Sequence, residues 1–299
     1  RDDGRRSRGT GRNRPPGGVK RQLARTKSTK RRNDMTRSLL IALILAALAG
    51  SPTRAQTPDT VFLEELTWTE VRDAIDSGKT TVIVPTAGTE QNGPHMVLGK
   101  HKYRMNWGAE RIARELGNAL VAPVMTYVPE GQIDPPGGHM RYAGTISIPP
   151  DVFKAVLEAT ARSLAVHGFT DIILIGDSGP NQQPMRDVAD MLNAEWADGE
   201  VRLYHVSDWY TSAAFEDWLL EKGETPETIG THAGLVDTAL LLAVAPEHVR
   251  MDIAAAGKGR DVDGVTGDPT GATAELGRTG LEFYVEAAMA QIRSLMADR

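Results

Sequence analysis

The chain has 299 residues, a formal net charge of −5, 40% hydrophobic and 24% charged residues, and no cysteine. That composition supports a packed core and excludes wholesale disorder. The missing cysteines exclude disulfides, thiolate metal sites, iron–sulfur clusters and a cysteine nucleophile. Any metal must therefore rest on His, Asp, Glu and neutral oxygen donors, and seven histidines are present.

The charge is unevenly spread. Residues 1–34 carry 13 Lys and Arg against 3 Asp and Glu, whereas residues 56–299 carry 19 against 36. An acidic body offers no footprint for a phosphate backbone, so nucleic acid is not an expected partner. Residues 1–34 read as a disordered basic extension, or as sequence upstream of a true start at Met35. Residues 35–55 read as a secretory signal peptide. Met35-Thr36-Arg37 leads an apolar run from Leu39 to Ala49, then a breaker at Pro52 and small residues before a cut after Ala55. The run is too short to span a membrane. The expectation is a periplasmic or secreted protein, off the membrane after cleavage, with one domain over 56–299.

That domain alternates helices and strands. The pattern predicts a helix over 69–76, capped by Thr69, and a buried strand over 80–85. A long polar loop over 86–101 and a helix over 106–116 come next. A strand over 119–124, a second long loop over 127–144 and a short strand over 145–148 follow. The remaining elements are a helix over 150–166, a strand over 171–175, a helix over 181–197 and a strand over 201–206. Helices over 232–242 and 279–296 close the chain. Alternation of this kind means an α/β fold with a mostly parallel central sheet.

In such sheets ligands bind beyond the carboxyl ends of the strands. The loop after the first strand holds Glu90, Gln91, Asn92, His95 and His101. The loop after the strand over 171–175 contains Gly176-Asp177-Ser178-Gly179-Pro180-Asn181. The first loop is far longer than the 2–6 residues or so that a strand–helix connection needs.

Four segments carry a resemblance. VIVPTAGTEQNGPHMVLG over 82–99 resembles the signature of the creatininase (creatinine amidohydrolase) family. HMRYAGTIS over 139–147, SLAVHGFTDIILIGDSGPN ending at Asn181, and HAGLVDTA over 232–239 resemble three further motifs of that family, in the same order. The resemblance implies a three-layer α/β/α fold, a two-metal amidohydrolase site, a small amide substrate and a homo-oligomer, a hexamer by family habit. Carried over residue by residue, the family's first glutamate falls on Glu90. Its next histidine falls on Asn92, its bridging aspartate on His101, its histidine of the third motif on Ser178, and a ligand glutamate on Pro180.

The residues themselves then suggest a smaller site. Glu90, His101 and Asp177 would make a three-ligand centre for one divalent ion, zinc first and manganese second, with a fourth position left for water. His232 would protonate the leaving nitrogen, with Asp237 beside it, and Asn92, His139 and Ser178 would contact substrate. Two other readings stand alongside. One is a serine hydrolase using Ser178, His232 and Asp237. The other is a non-catalytic small-molecule-binding protein that kept the fold and lost the metals.

Overall fold

The computed structural model describes residues 58–297 and, before them, Arg31 alone. The chain divides into two units, Arg1–Thr57 and Pro58–Arg299. The signal peptide, its cleavage site and, Arg31 aside, the basic extension lie outside the described residues.

Four parallel strands form the sheet: β1 (Thr81–Thr86), β2 (Ala119–Val121), β3 (Asp171–Gly176) and β4 (Arg202–Val206), in the order β2-β1-β3-β4. β1 and β3 are buried at every residue. This is why they read as continuous apolar runs rather than alternating ones. Side chains on one sheet face, including Ile83, Ile173 and Ile175, pack with α2 (Lys100–Leu116), α8 (Leu235–Val244) and α9 (Ala274–Ala297). Those on the other face, Val82, Val84, Ile172 and Leu174, pack with α1 (Trp68–Asp76), α3 (Pro150–Val166) and α4 (Gly179–Glu195). The result is a three-layer α/β/α sandwich, with β-branched strand residues at its centre.

The boundaries move in informative ways. α1 is capped by Thr67, not Thr69, through a capping box with Glu70. α9 begins at Ala274, five residues before the expected start. The expected strand over 145–148 contributes one bridge, Thr89 to Ile146, because the long loop beside it pairs no further. α2 begins at Lys100 rather than near residue 106. Three short helices after β4 carry no strong periodicity: α5 (Asp208–Thr211), α6 (Ala214–Glu221) and α7 (Pro226–Ile229).

One close approach ties the layers to the loops. A Cβ on Gly108 of α2 would lie 2.2 Å from the ring of Trp209 on α5. Trp209 is 1% exposed, and its indole N–H donates to Asp177 at 3.0 Å. Gly108→Ala is therefore expected to push the indole off Asp177 and to destabilise the protein by about 1–3 kcal/mol. Urea unfolding followed by tryptophan fluorescence measures it.

Candidate active site

The register of β1 on β3 sets Thr86 beside Gly176, so the two motif loops leave neighbouring strand ends. Together with α2, the 130–142 loop and the 229–237 segment they enclose a cavity of about 490 Å³.

Its floor is a ring of alternating charge. His101 bridges two carboxylates: its Nε2 is 2.8 Å from Glu90 Oε1 and its Nδ1 is 2.8 Å from Asp177 Oδ2. Arg104 joins Asp177 (3.1 Å) to Asp237 (2.6 Å). Lys100 Nζ lies 3.0 Å from Asp237 Oδ2 and 3.9 Å from Glu90 Oε1, which closes the circuit. The three cations come from the first turns of α2, at i, i+1 and i+4. The three anions come from three different loops and helix starts. Buried charges persist only when paired in this way.

Each charge holds its neighbour's protonation state. Burial alone would push the His101 imidazole down and the Glu90, Asp177 and Asp237 carboxyls up. Asp177 and Glu90 overcome this for His101 and raise it. The charge and hydrogen bond of His101, with Lys100, hold Glu90 far below the usual range. Arg104 and His101 lower Asp177, and Lys100 and Arg104 lower Asp237.

Above the ring stand two more histidines. His139 Nε2 is 3.2 Å from Glu90 Oε2, and His232 Nδ1 is 3.9 Å from Glu90 Oε1. Gln91 holds both rings, its side-chain Nε2 lying 3.0 Å from His139 Nδ1 and its backbone carbonyl 3.0 Å from His232 Nε2. That carbonyl accepts from His232 Nε2–H, which turns Nδ1 toward Glu90. Ala233, at φ 53°, makes the turn that presents His232, and its N–H donates to Asp237 at 2.8 Å. Burial, helped by the charge of Lys100, lowers His232 to about 4, so it is neutral near pH 7.

Glu130 completes the cavity, and the sequence reading missed it. It is 1% exposed, with Oε1 buried and without a hydrogen-bond partner. Ser178 Oγ lies 3.4 Å from its other oxygen. A side chain on Gly88 would collide with it, since a Cβ there would lie 1.9 Å from Oε1. Burial first, and then the negative charge of Glu90, push Glu130 up to about 10. It therefore carries a proton at neutral pH.

These distances redistribute the expected roles. Glu90, His101 and Asp177 do come together, but His101 spends both ring nitrogens on the two carboxylates and keeps no lone pair for an ion. Among the described residues, the group whose donor atoms lie within 4.8 Å of one another is Glu90, His139 and His232. Asn92 faces away from the cavity and braces its loop by donating to the Glu90 and Val97 carbonyls. Ser178 and His139 do line the cavity. Asp237 belongs to the ring, not to His232. The Ser178, His232 and Asp237 relay is not assembled: Ser178 faces Glu130, His232 bonds Gln91, and Asp237 is held by Lys100, Arg104 and Ala233. His232, expected as the proton donor, directs its Nε2–H to the Gln91 backbone carbonyl.

The family model described as creatinine amidohydrolase matches residues 64–292. This chain belongs to the creatininase family. It is 27% identical over 197 residues to the creatinine amidohydrolase of Pseudomonas putida, covering 64% of this chain and 75% of that one. It is 26% identical over 245 residues to the mycofactocin precursor peptide peptidase of Mycobacterium ulcerans (strain Agy99), covering 71% and 84%. A solved mutant creatininase superposes with a TM-score of 0.66 at 25% identity, over 79% of this chain and 98% of that one. A manganese creatininase and a mutant creatininase of Zn–Zn type share the fold, each at 24% identity and TM-scores of 0.65 and 0.63. The chain is a creatininase-family hydrolase acting on carbon–nitrogen bonds.

Proposed function

We propose that this chain hydrolyses a carbon–nitrogen bond in a small, possibly cyclic, amide, with one divalent cation held by Glu90, His139 and His232. The observation that carries the reading is the convergence of those three donors on one point of a polar cavity. Two neutral imidazoles and a carboxylate suit zinc or manganese. The manganese and zinc forms of solved relatives support a divalent metal without choosing between them. A second ion finds no carboxylate to hold it, because Asp177 and Asp237 are already neutralised by His101, Arg104 and Lys100.

When bound, the ion would supply a Lewis acid that makes water acidic near neutral pH and polarises a carbonyl. The chain's own groups do the rest. Gln91 fixes the rings of His139 and His232. Glu130, protonated beside Ser178, hands its proton to the leaving nitrogen as the carbon–nitrogen bond breaks, after the attacking oxygen has bonded to the carbonyl carbon. The resulting carboxylate is compensated by the proton that the attacking water releases. Trp209 and Tyr210 wall the cavity on the α5 side.

The test is a screen of lactams, creatinine and short peptide amides with and without chelator. Hydrolysis of at least one class, lost on chelation and restored by zinc or manganese, is expected. Ser178→Ala should keep its metal and at least a tenth of the rate, because the hydroxyl only supports Glu130. Loss of all activity in Ser178→Ala, with chelators inert, would favour the serine nucleophile instead.

A further inference from the structure

We propose that Lys100 is a catalytic residue, its ammonium binding the carbonyl oxygen of the amide and the oxyanion that forms there. The proposal rests on the hydrolase reading above and adds the group that carries the developing negative charge.

Lysine is almost never fully buried unless it is paired, and Lys100 is 1% exposed while lining the cavity. Among the described residues it is the only lysine in the buried class. Its pairing is not that of a purely structural cation. Asp237 is also bound by Arg104 at 2.6 Å and by the Ala233 N–H at 2.8 Å, so Lys100 at 3.0 Å shares this carboxylate with two other donors. Glu90, at 3.9 Å, is beyond hydrogen-bond length. An ammonium has three donors. One is directed to Asp237 and one leans toward Glu90, which leaves a third for the cavity.

The place is the right one. Lys100 Nζ stands beside the oxygen of Glu90 that also faces His232 Nδ1. A carbonyl activated at that donor group therefore has its oxygen next to a fixed, desolvated positive charge. As the attacking oxygen bonds to the carbonyl carbon, the carbonyl π electrons move onto this oxygen. They return when the carbon–nitrogen bond breaks and the nitrogen takes a proton. Pre-placed charge of this kind in a water-poor site costs no reorganisation during the reaction.

The chain has no cysteine, so Lys100→Cys carries a single thiol. Alkylation with 2-bromoethylamine then rebuilds an ammonium of lysine length at that position alone. Against the best amide from the screen, Lys100→Met and Lys100→Cys should lose about 100-fold or more in kcat, with KM changed less than threefold. The aminoethylated protein should recover at least tenfold. Calorimetry with methylphosphonate, a tetrahedral anion, reads the same site without turnover and should weaken at least tenfold in Lys100→Met. Should the variants fail to fold, wild-type protein labelled with 15N at lysine Nζ should show the slowly exchanging, buried ammonium shifting on methylphosphonate addition. Unchanged methylphosphonate affinity in folded Lys100→Met, no recovery after complete aminoethylation, or an unmoved wild-type signal would overturn the proposal. Absence of any amide hydrolysis by wild type would overturn the hydrolase reading alone, since methylphosphonate still reports on Lys100.

Discussion

Replacing Glu90 with glutamine is expected to cost more than any other single change in the cavity. Its carboxylate is the only anion in the Glu90, His139 and His232 group, so metal affinity should fall with the charge. The same carboxylate compensates His101 at 2.8 Å and stands 3.9 Å from Lys100, both nearly fully buried. Without it the ring holds three cations against two anions. Breaking a buried pair by removing one partner costs about 3–5 kcal/mol. Glu90→Gln should therefore retain less than a tenth of the bound metal, show no measurable amide hydrolysis, and unfold at clearly lower urea concentration. A variant that keeps its metal while losing stability would confine Glu90 to the ring.

The second large effect has the opposite sign. In metal-free protein Glu130 keeps its proton up to about pH 10, because burial and the neighbouring Glu90 charge disfavour ionisation. In the unfolded chain it loses that proton near the ordinary glutamate value of 4.5. Between the two the folded state holds one proton more than the unfolded state, so stability falls as pH rises. The slope from this one group is about 1.4 kcal/mol per pH unit. Glu130→Gln keeps the shape and a donor but removes the titration. Chelator-treated Glu130→Gln should be more stable than wild type at pH 8, with the gap widening between pH 6 and 9. The variant should also lose hydrolysis, since glutamine cannot pass on a proton. Parallel stability profiles for the two proteins would mean that Glu130 is ionised in the fold. His232 pulls the other way at lower pH. Its folded value of about 4 lies below the unfolded 6.5, so it favours unfolding as pH drops through that window.

The sheet was legible because its chemistry is local. TVIVPT and DIILIG are buried on both faces, so uninterrupted apolar runs mark them without any knowledge of partners. The two loops after them were legible through excess length and polar content. The charge ring was not. Lys100 falls in the expected 86–101 loop and Arg104 just ahead of the expected helix, and nothing local marks either as buried, because the anions that bury them, Asp177 and Asp237, are more than 70 positions away in sequence. Starting α2 six residues too late also placed His101 in a loop, where its nitrogens seemed free. Asp177 could equally have capped α4, yet Ser178 holds the cap position and Asp177 turns to His101 and Trp209. Glu130 sits in an irregular stretch, and only the crowding of Gly88 shows that the fold makes room for it.

Metal stoichiometry is the most direct test of the central claim. Elemental analysis of protein loaded with zinc or manganese and then desalted should find one ion per chain in the wild type. His139→Ala and His232→Ala should each drop to near zero while remaining folded. Two ions per chain, or one ion retained in both histidine variants, would contradict a single centre on Glu90, His139 and His232.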